Sequence, residues 1–138
     1  MVVADDFVAI AAWIRQGWVY ENQSWYYYDT AGKITTGWSV VDGVWYYFDE
    51  NGIMQTGWQL IDGDWYYLNA SGAMQVGWMN QNGTWYYLYG NGKMATGWLQ
   101  LNGTWYYLDG NGAMLTGKQI IGGNVWYFDR DGFWICLL

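Results

Sequence analysis

A period of 20 residues constrains this chain more than any other feature of its sequence. The pair Gly-Trp recurs with that period, at Gly17-Trp18, Gly37-Trp38, Gly57-Trp58, Gly77-Trp78 and Gly97-Trp98. The triplet Trp-Tyr-Tyr recurs in step with it, beginning at Trp25, Trp45, Trp65, Trp85 and Trp105. A fixed period of this length indicates a repeat architecture in which each unit packs on its neighbours. The 138 residues hold about six such units.

Each unit predicts a β-hairpin. Residues 38–41 and 44–48 are short runs rich in aromatic and β-branched side chains, which favour strands. Asp42-Gly43 lies between them and tolerates the positive φ angles of a two-residue hairpin turn. One hairpin alone is only marginally stable in water, so the hairpins must stack. The expected fold is therefore all-β, a β-solenoid of about six stacked hairpins with a 20-residue repeat.

The two ends depart from the repeat. The sixth copy has Gly117-Lys118 in place of Gly-Trp, and its Trp126-Tyr127-Phe128 begins one residue late, which indicates an insertion. Residues 5–14 fit either a short capping helix or a decayed strand. We divide the chain into a cap or degenerate repeat, a repeat array and an apolar tail, at residues 1–16, 17–132 and 133–138. The uncharged tail is expected to be buried or to pair with a second copy in a homodimer.

The composition argues against several classes of function. The chain has no histidine and one cysteine, Cys136, which excludes Ser-His-Asp and Cys-His nucleophiles and a His/Cys zinc site. A net charge of −7 argues against a nucleic-acid partner, and no apolar stretch is long enough for membrane insertion. The carboxylates of Asp129 and Asp131 resemble part of a calcium loop, but turn chemistry explains them. We therefore expect no metal, no cofactor and no enzymatic activity.

The number of aromatic residues indicates a binding function. The chain has 13 tryptophans and 14 tyrosines, and most of them recur at fixed positions, while the aliphatic positions of the repeat vary. Ordinary core packing is the simplest explanation, but a hairpin of this size cannot bury three or four large rings. Aromatic rings near the surface, with few lysines or arginines to stack on them, favour an external cation. A quaternary ammonium group fits best, because it binds ring faces without donating ordinary hydrogen bonds.

The unit resembles the choline-binding repeat of pneumococcal and phage cell-wall proteins. The resemblance rests on Gly57-Trp58, Trp65-Tyr66-Tyr67-Leu68, Gly72-Ala73-Met74 and Gly77-Trp78, and it covers about residues 13–132. It implies a left-handed β-solenoid that binds choline or phosphocholine on teichoic acids and anchors proteins to the bacterial cell wall. It also implies an extracellular location, although no signal peptide is visible at Met1–Asp6. Members of the family dimerise through terminal repeats.

The resemblance also implies the residues of each site. Two tryptophans come from one repeat, the second tyrosine of Trp-Tyr-Tyr comes from the next repeat, and a loop methionine closes the cage. The expected groups are Trp18, Trp25 and Tyr47, with Ile34 in the methionine position; Trp38, Trp45 and Tyr67, with Met54; Trp58, Trp65 and Tyr87, with Met74; Trp78, Trp85 and Tyr107, with Met94; and Trp98, Trp105 and Phe128, with Met114. Lys118 would repel a cation, so no site is expected to begin at the sixth repeat.

Two other functions stay open at this point. Glucan-binding repeats share similar aromatic and glycine words, and sugars also stack on aromatic rings, so a carbohydrate-binding array is one alternative. A designed or structural repeat scaffold without a ligand is the other. The methionine position and the paired tryptophans favour an apolar cage over a sugar site, because sugars usually need polar groups beside the ring.

Overall fold

The computed structural model describes residues 14–136, and within this range the regular structure consists of β-strands alone. The question of a helix or a strand at residues 5–14 falls outside the described residues, except for Ile14. The strands are β1 Gly17–Glu21, β2 Ser24–Tyr28, β3 Gly37–Val41, β4 Val44–Phe48, β5 Gly57–Ile61, β6 Asp64–Leu68, β7 Gly77–Gln81, β8 Thr84–Leu88, β9 Gly97–Leu101, β10 Thr104–Leu108, β11 Gly117–Ile121, β12 Asn124–Phe128 and β13 Trp134–Ile135.

Consecutive strands pair into six antiparallel hairpins, β1–β2 through β11–β12. Each hairpin turns through two residues with positive φ, as Asp42 (51°) and Gly43 (79°) do between β3 and β4. The first hairpin makes the same turn without glycine, so Gln23 adopts a φ of 63° that L-residues rarely take. The predicted all-β fold of hairpin repeats with two-residue turns is confirmed. The left-handedness of the solenoid and the boundaries at residues 17 and 132 stay predictions.

The sixth hairpin contains no insertion, so that prediction is wrong. Gly117 pairs with Phe128 and Gln119 pairs with Trp126, which is the register of Gly97 with Leu108 and of Leu99 with Tyr106 in the fifth hairpin. Trp126 therefore stands in the position of the first tyrosine of the triplet. Val125 occupies the position that tryptophan holds in the other repeats. The two-residue turn Gly122-Gly123 keeps the hairpin length unchanged, and this fixes the register.

Alternation along the strands gives each hairpin two different faces. We call the face with Trp38, Trp45 and Tyr47 in β3–β4, and its equivalents in the other hairpins, the tryptophan face. The opposite face, with Tyr46 and Phe48 in the same hairpin, is called the core face. The last residue of the return strand lies on the core face. In the second to fifth hairpins this residue is fully buried, at 0% exposure: Phe48, Leu68, Leu88 and Leu108. Burial of each such side chain stabilises the fold by about 1.5–3 kcal/mol.

The residues form two compact units, the first with residues 14–59 and 68–74 and the second with residues 60–67 and 75–136. In each unit the loops join one hairpin to another through the backbone. In the first unit the Met54 N–H donates to the Trp25 carbonyl over 2.8 Å. In the second unit the Met114 N–H donates to the Trp85 carbonyl over 2.8 Å. Each methionine thus lies against the hairpin that precedes its own.

The side chain of the first loop residue closes the loop after every hairpin except the fourth, whose loop begins at Tyr89. The Asp49 Oδ1 accepts the backbone N–H groups of Asn51 and Ile53, both over 2.9 Å. The equivalent carboxylate of Asp129 accepts the N–H groups of Asp131 and Phe133 over 2.9 Å. Turn chemistry thus accounts for Asp129, as expected. In the described range, no cluster of three or more His, Cys, Asp or Glu side chains is placed to hold a metal ion. None of the described segments is a helix long and apolar enough to cross a membrane.

The loop glycines make room for the methionines. Gly112 has a φ of 85°, and a Cβ built on it would lie 2.4 Å from the Met94 sulfur, well inside van der Waals contact. Gly132 stands in the same relation to Met114, with a φ of 85° and a distance of 2.4 Å. Ile14 reaches Gly32 in the same way, which places it in the methionine position of a degenerate repeat. Glycine is therefore required here both by φ and by the close approach of the next side chain.

The first prediction tests this contact. Gly112→Ala should lower the free energy of unfolding by about 1–3 kcal/mol, because alanine is strained at positive φ and its methyl group displaces Met94. Gly110→Ala is the matched control two residues away, since a Cβ there meets nothing within 4 Å. We expect that control to be neutral or stabilising by up to about 1 kcal/mol. Urea denaturation of both variants measures the difference, and equal stabilities would contradict the proposed role of Gly112.

Candidate ligand-binding site

The tryptophan face of each hairpin brings two indole rings together. Trp18 of β1 lies opposite Tyr27, and Trp25 of β2 lies opposite Tyr20, so the two tryptophans are diagonal neighbours on one face. Their ring centroids are 6.2 Å apart and the ring planes are nearly perpendicular, at 87°. The later hairpins repeat this corner, with 6.3 Å for Trp38–Trp45, 6.4 Å for Trp78–Trp85 and 6.1 Å for Trp98–Trp105. The return-strand tryptophan stays partly exposed, 42% for Trp25.

A ring from the next hairpin packs against the first tryptophan of the corners that begin at Trp18, Trp78 and Trp98. Tyr46 lies 4.9 Å from Trp18, and Tyr106 lies 4.9 Å from Trp78, measured between ring centroids. The resemblance implied the second tyrosines here, Tyr47 and Tyr107. The structure instead places Tyr47 against Trp38 of its own hairpin at 5.0 Å, and Tyr107 against Trp98 at 5.1 Å. The reason is alternation: the first tyrosine lies on the core face, which meets the preceding tryptophan face, and the second does not.

The loop methionine also belongs one cleft earlier than expected. Met54 lines a cleft with Trp18 and Trp25, rather than with Trp38 and Trp45. Met114 lines a cleft with Trp78, Trp85 and Tyr106, rather than with Trp98 and Trp105. The hydrogen bonds from the methionine N–H groups to the carbonyls of Trp25 and Trp85 cause this placement. Ile34, expected in the first site, packs over Gly52 instead.

These contacts define two equivalent groups. The Trp18 cage contains Trp18, Trp25, Tyr46 and Met54, and it borders a cleft of about 410 Å³ that Ala70 and Ser71 also line. The Trp78 cage contains Trp78, Trp85, Tyr106 and Met114, around a cleft of about 330 Å³ that Arg130, Asp131 and Phe133 also line. Two walls of each cage therefore come from one hairpin, one wall from the next hairpin, and one from the loop that follows it.

Within residues 14–136, the last cleft is lined by tryptophan alone. Trp98, Trp105, Trp126 and Trp134 line it, and we call this group the Trp98 cage. Trp126 takes the place of the tyrosine, 4.8 Å from Trp98, and Trp134 takes the place of the methionine, 5.8 Å from Trp126. Phe128, which was expected in this site, is instead a buried core residue at 3% exposure. Its ring packs against Trp98, with 5.8 Å between the ring centroids. The expected Met114 lies in the Trp78 cage.

The other expected groups are described only in part. Met74 donates its N–H to the Trp45 carbonyl over 2.9 Å, which places it one hairpin earlier than expected, beside the Trp38–Trp45 corner. Met94 donates in the same way to the Trp65 carbonyl over 2.8 Å. Tyr87 packs on Trp78 of its own hairpin at 5.1 Å. Trp58 and Tyr67 are half-buried, and Trp65 is exposed.

Comparisons with known proteins identify the family of the chain. The model of the choline-binding repeat matches residues 35–77 and 75–118, and a model of a cell wall binding repeat matches residues 16–34. The chain belongs to the choline-binding repeat family. Membership makes it a binding module of a family that associates with the bacterial cell surface, and its aromatic clusters fit the recognition of choline. A comparison with curated proteins gives no match.

Solved structures of choline-binding proteins have the same fold. Choline binding protein F from Streptococcus pneumoniae, solved with a peptidoglycan analogue, is 44% identical over 88% of this chain and 41% of its own, with a TM-score of 0.86. CbpJ from the TIGR4 strain of that species is 42% identical over 88% and 46%, with a TM-score of 0.85. The endolysin of phage Cp-1, complexed with choline, is 31% identical over 87% and 37%, with a TM-score of 0.61. This chain spans less than half the length of each.

The sequence of this choline-binding repeat contained a signal for residues that the structure places differently from the expectation. Trp45 and Tyr47 alternate with Tyr46 and Phe48, so only Tyr46 can face the tryptophans of the preceding hairpin. Trp134 follows Gly132 by two residues, as Met114 follows Gly112, and this spacing marks it as the methionine equivalent. The shift of the methionines by one cleft has no such signal, because it depends on a hydrogen bond between residues 29 positions apart, such as Trp25 and Met54.

Charged groups lie near only some of the described aromatic rings. Arg130 and Asp131 are at the rim of the Trp78 cage. Tyr106, which forms the inner wall of that cage, is 8% exposed. Burial raises the pKa of the Tyr106 phenol above its usual value of 10.0, and the carboxylates of Asp129 and Asp131 raise it further. The ring therefore remains a neutral phenol over the whole physiological range.

The second prediction follows from this raised pKa. A proton held more tightly in the folded state contributes stability that is fully present below about pH 10 and is lost as the pH rises through the folded pKa of Tyr106. The difference in unfolding free energy between the wild type and Tyr106→Phe should therefore be constant at lower pH and fall above about pH 10. Urea denaturation across this range measures it. In an Asp131→Asn background the fall should be smaller and end at a lower pH, because loss of this carboxylate lowers the folded pKa of Tyr106. A difference that does not change with pH contradicts the assignment.

Proposed function

We propose that this chain is a non-catalytic module that binds choline groups in its aromatic cages. The observation that carries the proposal is the recurring corner of two nearly perpendicular tryptophans closed by a ring and a loop side chain, as in Trp18, Trp25, Tyr46 and Met54. A trimethylammonium group has no N–H to donate, so it binds where ring faces surround it. Each ring contributes roughly 0.5–2 kcal/mol through the cation–π interaction.

We further propose that the ligand is choline carried on teichoic acid, outside the cell at the bacterial surface. The cages are open on one side, with Trp25, Trp85 and Trp105 at 42%, 41% and 37% exposure, so a polymer-linked group can enter head first. A chain of net charge −7 gains nothing from general attraction to an anionic polymer. Attachment would therefore depend on several weak cages acting on one polymer, whose effective concentration raises the overall affinity.

The third prediction tests the cages directly. Trp85→Ala removes one wall of the Trp78 cage and should weaken choline binding there at least roughly tenfold, so calorimetry should count one site fewer than in the wild type. The Trp18 and Trp98 cages share no residue with it and should retain their binding. Tyr89→Ala, which removes an exposed ring from the loop after β8, is the control and should keep the full number of sites.

The outcomes separate the competing functions. No heat or fluorescence change at tens of millimolar choline, in a protein folded by circular dichroism, would refute choline binding. Binding of a glucan under the same conditions, lost in Trp85→Ala, would favour the carbohydrate-binding alternative. Retention on a tertiary-amine resin with release by free choline, together with retention on choline-bearing teichoic acid, supports the module described above.

We also propose that two copies pair through the outer face of the last hairpin. This face is equivalent to the tryptophan face but carries Ile120 and Val125, which are 73% and 48% exposed. β13 pairs with β12 and adds Ile135 opposite Tyr127, on the same face, at 39% exposure. Residues 133–136 are thus exposed, and the expectation that the tail is buried does not hold for them. A symmetric pair would remove this apolar surface from water without growing into a fibre.

The fourth prediction concerns this pairing. Light scattering at tens of micromolar protein should give a dimer mass for the wild type and a monomer mass for the double variant Ile120→Ser, Val125→Thr. A reducing agent must be present, because the exposed Cys136 lies beside Ile135 and could link two chains covalently. The substituted side chains do not line the described cages, so choline binding serves as the control for folding. A monomeric wild type, with and without choline, would refute the pairing.

A further inference from the structure

The Trp98 cage differs from the other described cages in the chemistry of its walls. The Trp18 cleft includes the thioether of Met54 and the hydroxyl of Ser71, and the Trp78 cleft includes Met114 and the charged groups of Arg130 and Asp131. The Trp98 cleft, of about 360 Å³, is lined by four indole rings. Two of them, Trp126 and Trp134, stand where the repeat places tyrosine and methionine.

The fold holds these two extra rings in place. Trp126 is fixed by the register of β11 and β12, where it pairs with Gln119, and its Nε1 donates to the Ile121 carbonyl over 3.3 Å. Its polar edge is therefore occupied by the backbone. Trp134 is fixed by the pairing of β13 with β12, opposite Phe128, which corresponds to the bridge between Leu108 and Met114 in the preceding repeat.

The geometry leaves ring surface as the main contact for a ligand. Trp98 lies at 6.1 Å from Trp105 and at 4.8 Å from Trp126, and Trp126 lies at 5.8 Å from Trp134, all between centroids. Tryptophan gives the strongest cation–π attraction of the aromatic residues, and a fourth indole adds apolar and stacking surface that methionine does not offer. Among the described residues, no carboxylate or hydroxyl lines this cleft to recognise the alcohol of choline.

We propose that the Trp98 cage is selective for quaternary ammonium ligands that carry an apolar or aromatic substituent, and that Trp134 determines this selectivity. The inference deepens the proposed function, because it rests on the same cages binding quaternary ammonium groups. A substituent in place of the choline alcohol loses no hydrogen bond to the walls and gains contact with the indole of Trp134. The Trp78 cage, with Met114 in that position and charged side chains at its rim, lacks this gain.

The fifth prediction compares benzyltrimethylammonium with choline on the full chain. Trp85→Ala, which disables the Trp78 cage, leaves the Trp98 cage intact. Trp105→Ala does the reverse. The quantity compared is the ratio of the choline Kd to the benzyltrimethylammonium Kd. For the Trp98 cage this ratio is obtained from the binding that Trp105→Ala removes. It should exceed the ratio for the Trp78 cage by about threefold to tenfold. Calorimetric titrations of both variants and of the wild type provide the two ratios.

A second variant isolates Trp134. Trp134→Met restores the residue that the repeat usually has and should preserve the fold, and it should bring the ratio of the Trp98 cage down to that of the Trp78 cage. Trp126→Tyr restores the other residue that the repeat usually has, and it should also lower the ratio of the Trp98 cage. Circular dichroism checks that both variants are folded. An unchanged ratio in Trp134→Met overturns the inference.

The outcomes distinguish this inference from the proposed function. Equal ratios for the two cages, with choline bound by both, overturn the selectivity and leave choline binding intact. Benzyltrimethylammonium bound at the Trp98 cage, with choline bound by no cage, supports the selectivity and overturns the proposed choline function. No binding of either ligand overturns both.

Discussion

The hydrogen bond from each loop methionine to a tryptophan carbonyl of the preceding hairpin is the contact on which the array and its clefts depend. A lone hairpin has too little surface to be stable in water, so it needs a neighbour. The bond between Met54 and Trp25 joins two hairpins and at the same time brings the Met54 side chain to the Trp18–Trp25 corner. The next loop can pack against the Met54 side chain only because Gly72 has no Cβ. A Cβ at Gly72 would lie 2.4 Å from the Met54 sulfur. The same contact therefore stacks two hairpins and forms the cleft between their side chains.

The alternation of side chains decides which aromatic residues are core and which remain available. Phe48, Leu68, Leu88 and Leu108 share one position on the core face and are fully buried. The return-strand tryptophans lie on the opposite face near the turn, where the next hairpin covers them incompletely, so they remain about two-fifths exposed, such as Trp45 at 45%. The first tyrosine of a triplet lies between these two environments, since Tyr106 touches Trp78 of the preceding hairpin at 4.9 Å and is only 8% exposed. This position explains why burial raises the pKa of Tyr106.

Most of the fold was predictable from the sequence, because the period, the turn dipeptides and the strand composition all point to the same hairpin. The register of the sixth hairpin was mistaken, since Trp126 was matched to the tryptophan of the triplet when the turn at Gly122-Gly123 matches it to the tyrosine. Tyr47 was expected beside Trp18 of the preceding hairpin, whereas alternation places it beside Trp38 of its own hairpin. The placement of the methionines could not be predicted, because it depends on contacts between repeats that no local pattern encodes. The first turn is a different case: Asn22 and Gln23 adopt positive φ because the strands impose it, against the preference of glutamine.

The two explanations of the aromatic residues, core packing and ligand binding, are not alternatives for the first tryptophan of each repeat. Trp98 contacts the buried Phe128 at 5.8 Å with one side and forms a corner with Trp105 at 6.1 Å with another. Loss of such a ring would disturb both the fold and the cleft, so the strands leave little freedom to vary it. The loop residues before the glycines, such as Ser71, are under less constraint than the methionines, since they line the cleft without a backbone bond to another hairpin. Their side chains differ accordingly, with Ser71 at one cleft and Asp131 at the equivalent position of another. In the Trp18 and Trp78 clefts the strands supply the same aromatic corner and the loops supply the differences, whereas in the Trp98 cleft the strand residues Trp126 and Trp134 differ as well.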